Sequence, residues 1–442
     1  MVLARSTQAV IGFCDALMVA SLGQDALAAT TTGAMNTFSI AILPMGVVFI
    51  VQSFAAQLTG KGDLDGARRY AWYGLILSAV AAFIGLAAIP LVGPVLGLLP
   101  FEPQVEELMT RYIAIRLLSL GAVVGTEALG NWFGGLGNTR IQMIAGVVAM
   151  VVNVALCWVF IFGHLGAPAL GVAGSALAAC IGTWVGFAVV AVAFARASRE
   201  SRTAGGGPLA LRRAELGRML RFGLPNGLNW FLEFAAFVVF INVVMAELGT
   251  GVLAAFMVVM SINSVSFMPA FGLSSSGAIL AGQAIGAGKK DEVAGIWFLT
   301  ARTTAVWQGA VGLLYVILPA TIISIFAPPD QDAARLVEVG TVLLALSAAW
   351  QLFDSIALTL SETLRAAGDT AWTLWARIIL AWALFIPGSL LAVFVMDGGH
   401  VAAMLCIAGY IAVLAAVFYW RFRSGRWRDI DLTGSTPSLL PD

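Results

Sequence analysis

The sequence predicts an all-α polytopic membrane protein, with twelve transmembrane helices in two pseudo-symmetric six-helix bundles. Three observations carry that reading. Sixty per cent of the 442 residues are hydrophobic and only 11% are charged, a balance typical of chains that cross a bilayer repeatedly. The apolar runs divide into twelve spans, each near the ~20 residues a helix needs to cross the hydrocarbon. Short motifs of the first half then recur in order in the second.

The expected spans cover residues 3–22, 34–57, 70–92, 108–134, 141–163, 169–195, 219–247, 252–284, 294–325, 336–364, 372–396 and 401–421. The connections between them are short, and several are punctuated by glycine or proline: Gly60-Lys-Gly62, Leu99-Pro-Phe-Glu-Pro103 and Pro328-Pro329. The exception, with Gly205-Gly-Gly-Pro208, separates two halves of six spans. The expected organisation is therefore a bundle over 1–195, a linker over 196–218, a second bundle over 219–423 and a tail over 424–442.

Basic residues set the orientation. Lys61, Arg68 and Arg69, then Arg140, then the arginines of 196–218, then Lys289 and Lys290, then Arg365 and Arg377, and finally the arginines of 421–428 fall on alternate connections. The intervening connections are acidic or uncharged, with only Arg111, Arg116 and Arg335 on that side. Both termini and the linker are thus expected in the cytoplasm, and the protein in the inner (plasma) membrane. The first apolar run contains Gln8 and Asp15 with no small-residue cleavage pattern after it, so it reads as a span and not a signal peptide.

The repeat is specific. Leu22-Gly-x4-Ala28-Ala29 returns as Leu248-Gly-x4-Ala254-Ala255, and Gln57-x2-Gly60-x-Gly62 as Gln283-x2-Gly286-x-Gly288, both at an offset of 226. Gly137-Asn-Thr139 returns as Gly368-Asp-Thr370 at an offset of 231. With an even number of spans per repeat, both halves enter the membrane from the same side. Their symmetry axis then runs along the membrane normal, and the interface between the halves is the expected place for a site.

Enzyme chemistry is not indicated. No Walker loop, HExxH or GxSxG is present, the four cysteines sit inside apolar runs, and the two histidines lie far apart. The informative stretch is Phe222–Phe237, which opens an apolar run with Glu233 in its middle. Glu233 lies twelve residues beyond Arg221, which is about 18 Å along a helix. An ionised group at such depth costs at least a few kcal/mol and marks function by default. Asn226, Asn229, Trp230, Glu233 and Phe237 recur at helical spacing and share one face.

These features, taken together, resemble the multidrug and toxic compound extrusion (MATE) family. The carrying residues are Asp15–Gly23 with Ala28-Ala29, the Gln57 and Gln283 glycine loops, Gly134-Gly-Leu-Gly-Asn-Thr-Arg140, and Asn153 followed by Gly166–Gly174. In the second half they are Leu224-Pro225 with Glu233, and Asp354 upstream of Leu364-Arg-Ala-Ala-Gly-Asp-Thr370. Glu233 with Asp354 is similar to the NorM-type branch. The resemblance implies two six-helix bundles around a central cleft. It also implies export of bulky, often cationic or amphipathic compounds in exchange for Na⁺ or H⁺, and a first-half polar site that joins Asn153 to Asp15. Ala16 and Ala20 depart from the family's threonine and glycine, and Asn138 stands where the second half has Asp369.

Asp15, Glu233 and Asp354 are therefore the expected sites of the coupling cation or the drug cation. An unpaired buried carboxylate can load a proton, or hold Na⁺ with neighbouring oxygens; Glu233 and Asp354 together are the candidate Na⁺ ligands. The alternative is that each is a satisfied packing polar. Asn229, Trp230, Phe237 and Gln351 complete the expected substrate face, Gln351 from a stripe with Ser347, Asp354 and Ser361. Trp132, Trp350 and Phe353 are further candidates for lining a cleft. Glu127, one turn before Asn131, reads equally as a site member or as a structural partner. Glu362 reads as a local pair with Arg365, and Arg302 and Arg377 as snorkelling residues. Pro44, Pro225, Pro269 and Pro387 are candidate bends. No cofactor beyond the ion and no nucleic acid is expected; the partners are small cationic or amphipathic molecules and membrane lipids, and the chain is expected to act as a monomer. Two further readings stay open: a flippase for lipid-linked sugars of the same superfamily, and a major-facilitator symporter, which Asp63-x2-Gly66-x-Arg68-Arg69 loosely resembles. The absence of a centrally placed arginine argues against the flippase.

Overall fold

The computed structural model describes residues 11–12, 14–99, 101–203, 210–326 and 332–434. Gln8, Gly205-Gly-Gly-Pro208, Pro328-Pro329 and the end of the tail lie outside them. Among the described residues regular structure is helical throughout. We number the spans α1 (14–20), α2 (Gln24–Lys61), α3 (Leu64–Leu96), α4 (Pro103–Leu117 with Leu120–Gly135), α5 (Arg140–Phe162), α6 (Val172–Thr203) and α7 (Arg213–Met245). Then follow α8 (Thr250–Gly286), α9 (Glu292–Ile317), α10 (Asp332–Ala367), α11 (Thr370–Val395) and α12 (Gly399–Arg423). Nine of these are long and apolar enough to cross a membrane unaided, and the bent pair of α4 makes ten. α9, interrupted by Arg302 and Gln308, and the short described part of α1 complete the twelve. The protein is an all-α, multi-pass membrane protein.

Three expectations are corrected. The connection expected at 24–33 is helix: Gly23 ends α1 and caps α2, and an alanine- and threonine-rich turn carries α2 on from Gln24. Span four is not one rod but bends by 45° after Leu117. There the Ser119 hydroxyl and its backbone N–H both donate to the Arg116 carbonyl (2.7 and 3.0 Å), which draws that acceptor out of the helical ladder. The linker is also shorter than expected, because α6 runs to Thr203 and α7 starts at Arg213.

The chain forms two compact units, and it passes from one to the other at Gly227–Leu228, inside α7. Within the first unit α4 is the hub, packed against α2, α3 and α6, while α5 lies along α6. Within the second unit α10 has the same role against α8, α9 and α12, with α11 along α12. The repeated motifs make the same turns. Gly62 and Gly288 both take φ of 79°, a left-handed conformation that side chains beyond glycine seldom adopt. At each, the following N–H reaches back five residues, Asp63 to the Leu58 carbonyl (2.9 Å) and Lys289 to that of Ala284 (2.8 Å).

α7 begins as part of the first unit because small residues let it approach α2. A Cβ at Gly223 would stand 2.7 Å from the Val47 carbonyl, and one at Gly227 would stand 2.6 Å from that of Leu43. This is the small-xxx-small spacing that brings membrane helices into backbone contact. At the other end of the second unit, the chain folds back after α12. Trp427, 3% exposed, stacks on Phe422 at 5.5 Å, and Leu432 is buried beside Gly368.

Candidate functional site

Each unit gathers its own polar cluster inside apolar helices. In the first, Asp15 on α1 is buried, and Cys157 Sγ on α5 donates to its Oδ1 at 3.1 Å. One turn before Cys157 stands Asn153, 1% exposed, whose side chain adjoins the Asp15 carboxylate. Its backbone lies close to Gly182 of α6. Ser175, also on α6, is buried beside Cys157. Arg116, just before the bend in α4, acts electrostatically on Asp15 without pairing with it, and its Nη1 is buried with no acceptor. The structure thus brings Asp15 and Asn153 into one cluster. Neither Cys157 nor Arg116 is marked as a site member by the sequence: a cysteine in an apolar run has no signature, and Arg116 is placed by a bend that periodicity does not show.

In the second unit the carboxylates come from different helices. Glu233 on α7 has a 45% exposed side chain and is ion-paired with Arg377 of α11, which is 11% exposed. Arg377 Nη2 also approaches Ser361 Oγ at 3.5 Å, and its guanidinium lies 5.6 Å from the centre of the Phe418 ring. Asp354 on α10 accepts from Gln308 Nε2 of α9 at 2.7 Å and sits in the field of both Glu233 and Arg377. The Tyr410 hydroxyl on α12 is in the same field and has no hydrogen-bond partner. A narrow crevice is lined by Asn229, Glu233, Arg377 and Trp382 among others.

One expectation changes here. Arg377 is not a snorkelling residue: it is buried and turned toward Glu233, so the premise that no arginine stands among the acids is corrected. Its distance of 144 residues from Glu233 hid the pair. Gln351 is engaged between helices, where its Nε2 donates to Asn263 Oδ1 at 2.7 Å and its Oε1 accepts from Ser266 Oγ at 3.0 Å. Ser347 is engaged by Asn263 in the same way. A buried amide engaged at both ends ties α8 to α10.

The aromatic candidates scatter. Trp230 meets Phe271 edge-on at 6.4 Å, and Phe237 lies 6.3 Å from Phe256 in the core of the second unit. Trp132 and Trp350 are buried, and Phe353 is exposed. Asn226 donates to the Gly46 carbonyl and faces α2, apart from the Glu233 cluster. Glu127 accepts from Asn131 of its own helix at 3.0 Å, and Glu362 pairs with Arg365 at 2.5 Å. Among the described residues no three His, Cys, Asp or Glu converge on a metal-sized site. An ion would rely on amide, hydroxyl and carboxylate oxygens, a donor set suited to hard cations.

Twelve helices in two like-folded units, each with a polar cluster set among apolar helices, define a membrane transporter and not an enzyme. The comparisons agree. The MatE family model matches residues 1–159 and 225–391, and the chain belongs to the MatE family. It is 25% identical over 423 residues to the multidrug resistance protein NorM of Burkholderia vietnamiensis, covering 95% of this chain and 91% of that one. Among solved structures it resembles a MATE protein in complex with MaL6, with a TM-score of 0.88 at 20% identity and coverage of 97% and 95%. It also resembles the outward-facing conformation of a multidrug resistance MATE family transporter of the MOP superfamily, with a TM-score of 0.85 at 20% identity and the same coverage.

Proposed function

We propose that this chain is a secondary active multidrug exporter that antiports cationic or amphipathic compounds against Na⁺ or H⁺ by alternating access. It works as a monomer in the plasma membrane, with both termini in the cytoplasm. The observation that supports this reading most directly is the placement of Asp15, Glu233 and Asp354 on membrane-crossing helices beside open polar atoms. Asn153 lies next to Asp15, and Asn229 supplies an open amide oxygen beside Glu233. A site of this kind can hold a proton, an alkali cation or an organic cation, one at the expense of another. Exchange follows if the ligands differ in affinity for the inward- and outward-open states.

The relatives named as NorM multidrug resistance proteins support the substrate class. The test is transport of ethidium in proteoliposomes under imposed Na⁺ or proton gradients. One of the two gradients is expected to drive uptake, and Glu233→Gln to abolish it. Transport independent of both gradients, or unaffected by Glu233→Gln in well-folded protein, would overturn the reading.

A second reading gains some weight from Arg116 and Arg377. A guanidinium beside each acidic cluster is compatible with an anionic headgroup, as a flippase for lipid-linked sugars would require. The acids that accompany both arginines favour the cation exchanger.

A further inference from the structure

The charge balance of the second unit differs from what two uncompensated carboxylates would give. Glu233, Asp354 and Arg377 lie within one another's field and sum to a single negative charge. Arg377 is held by more than that field. Its stem is buried, its guanidinium lies over Phe418, and Ser361 is within reach. Yet its Nε has no acceptor, so the fork is only partly used. Glu233, in contrast, keeps nearly half its side chain open, and Asn229 and Trp382 border the crevice beside it. A second acceptor stands ready: Gln308 occupies Asp354 Oδ2 and, among the described residues, no hydrogen bond to Oδ1 is made.

The geometry points to Arg377 as a tethered counter-cation, occupying at Glu233 the place that a transported cation takes, and moving to Asp354 when that cation arrives. This rests on the exchanger reading and deepens it. With the site empty, the guanidinium neutralises the exposed carboxylate and keeps it from standing uncompensated in the membrane. When a monovalent cation reaches Glu233, the guanidinium covers Asp354 and the three groups plus ligand sum to zero. The second unit then accepts one monovalent charge at a time, and the returning guanidinium helps to expel it. The planar fork suits this role, because it can release one carboxylate oxygen while holding another.

The test is binding of tetraphenylphosphonium to the purified full-length protein, with transport in proteoliposomes alongside. Arg377→Gln removes the internal competitor and is expected to lower the Kd by about tenfold, equivalent to ~1.4 kcal/mol, while turnover falls because release slows. Arg377→Lys keeps the charge but not the fork, and is expected to shift the Kd in the same direction by less. Combining Glu233→Gln with Arg377→Gln is expected to erase the gain. Unchanged or weaker binding in monodisperse Arg377→Gln overturns the inference, as does a gain that survives in the double variant. Should Arg377→Gln fail to fold, Arg377→Lys decides, and an unchanged Kd there counts against the inference. Glu233→Gln alone separates the two levels. If it transports like the parent protein, the exchanger reading of Glu233 fails; if it is inactive and Arg377→Gln binds no tighter, only the counter-cation fails.

Discussion

The side-chain amide of Asn226 donates to the backbone carbonyl of Gly46 at 2.6 Å, joining α7 to α2. The carbonyl is free because α2 breaks at Ile50, whose N–H turns to the Val48 carbonyl, so the usual donor four residues on is lost. Asn226 supplies the replacement from a neighbouring helix. Asn226→Ala should therefore lower stability by about 1–3 kcal/mol, the usual cost of a buried polar group left unpaired. Thermal unfolding of the purified protein measures it. Gly227→Val should do worse, since its side chain would enter the Leu43 carbonyl.

Cys157 offers a test of the first unit. Its thiol is the direct hydrogen bond to Asp15. Cys157→Ser keeps a donor at that position and should transport close to the parent rate. Cys157→Ala removes it, and efflux of ethidium from cells should fall several-fold. Asp15→Asn should reduce efflux by at least about tenfold, the equivalent of ~1.4 kcal/mol in a barrier. Equal rates for the serine and alanine variants would show that the thiol only fills space.

Much of this was legible in the sequence, for reasons that differ by residue. The helices were readable because each must satisfy its own backbone in lipid, which makes apolar length a strong signal. Asp15, Glu233 and Asp354 stood out because carboxylates are rare there. Long-range partners were not readable: nothing local in the chain ties Arg377 to Glu233, or Gln351 to Asn263. Arg377 lies only two turns inside its helix, where a long cationic side chain ordinarily reaches for the interface. Gln351 shares a stripe with Asp354, yet a stripe does not tell whether it faces a ligand or another helix.

That last ambiguity gives a further prediction. Gln351→Leu leaves Asn263 and Ser266 without their partner. Its expected effect is a loss of about 1–3 kcal/mol of stability, with the tetraphenylphosphonium Kd of the folded fraction unchanged. A weakened Kd with unaltered melting would place Gln351 in the binding site.

The folded-back tail should also matter. Arg428 pairs with Asp291 at 2.6 Å, and Lys290 donates to the Arg428 carbonyl, so the tail is tied to the turn between α8 and α9. Truncation after Ser424 removes these ties and uncovers Phe422, and the melting temperature should drop by several degrees. The exposed ion pair contributes little by itself; burial of Trp427 and Leu432 contributes most. A tail carrying Arg428→Ala but intact apolar residues should melt near the parent protein.

The like turns at Gly62 and Gly288 give the molecule an internal control that few proteins have. Replacing either glycine with alanine imposes one and the same steric fault on one and the same five-residue joint. Any disparity between the two lesions then measures what has become of the copies since duplication, with the local chemistry cancelled out.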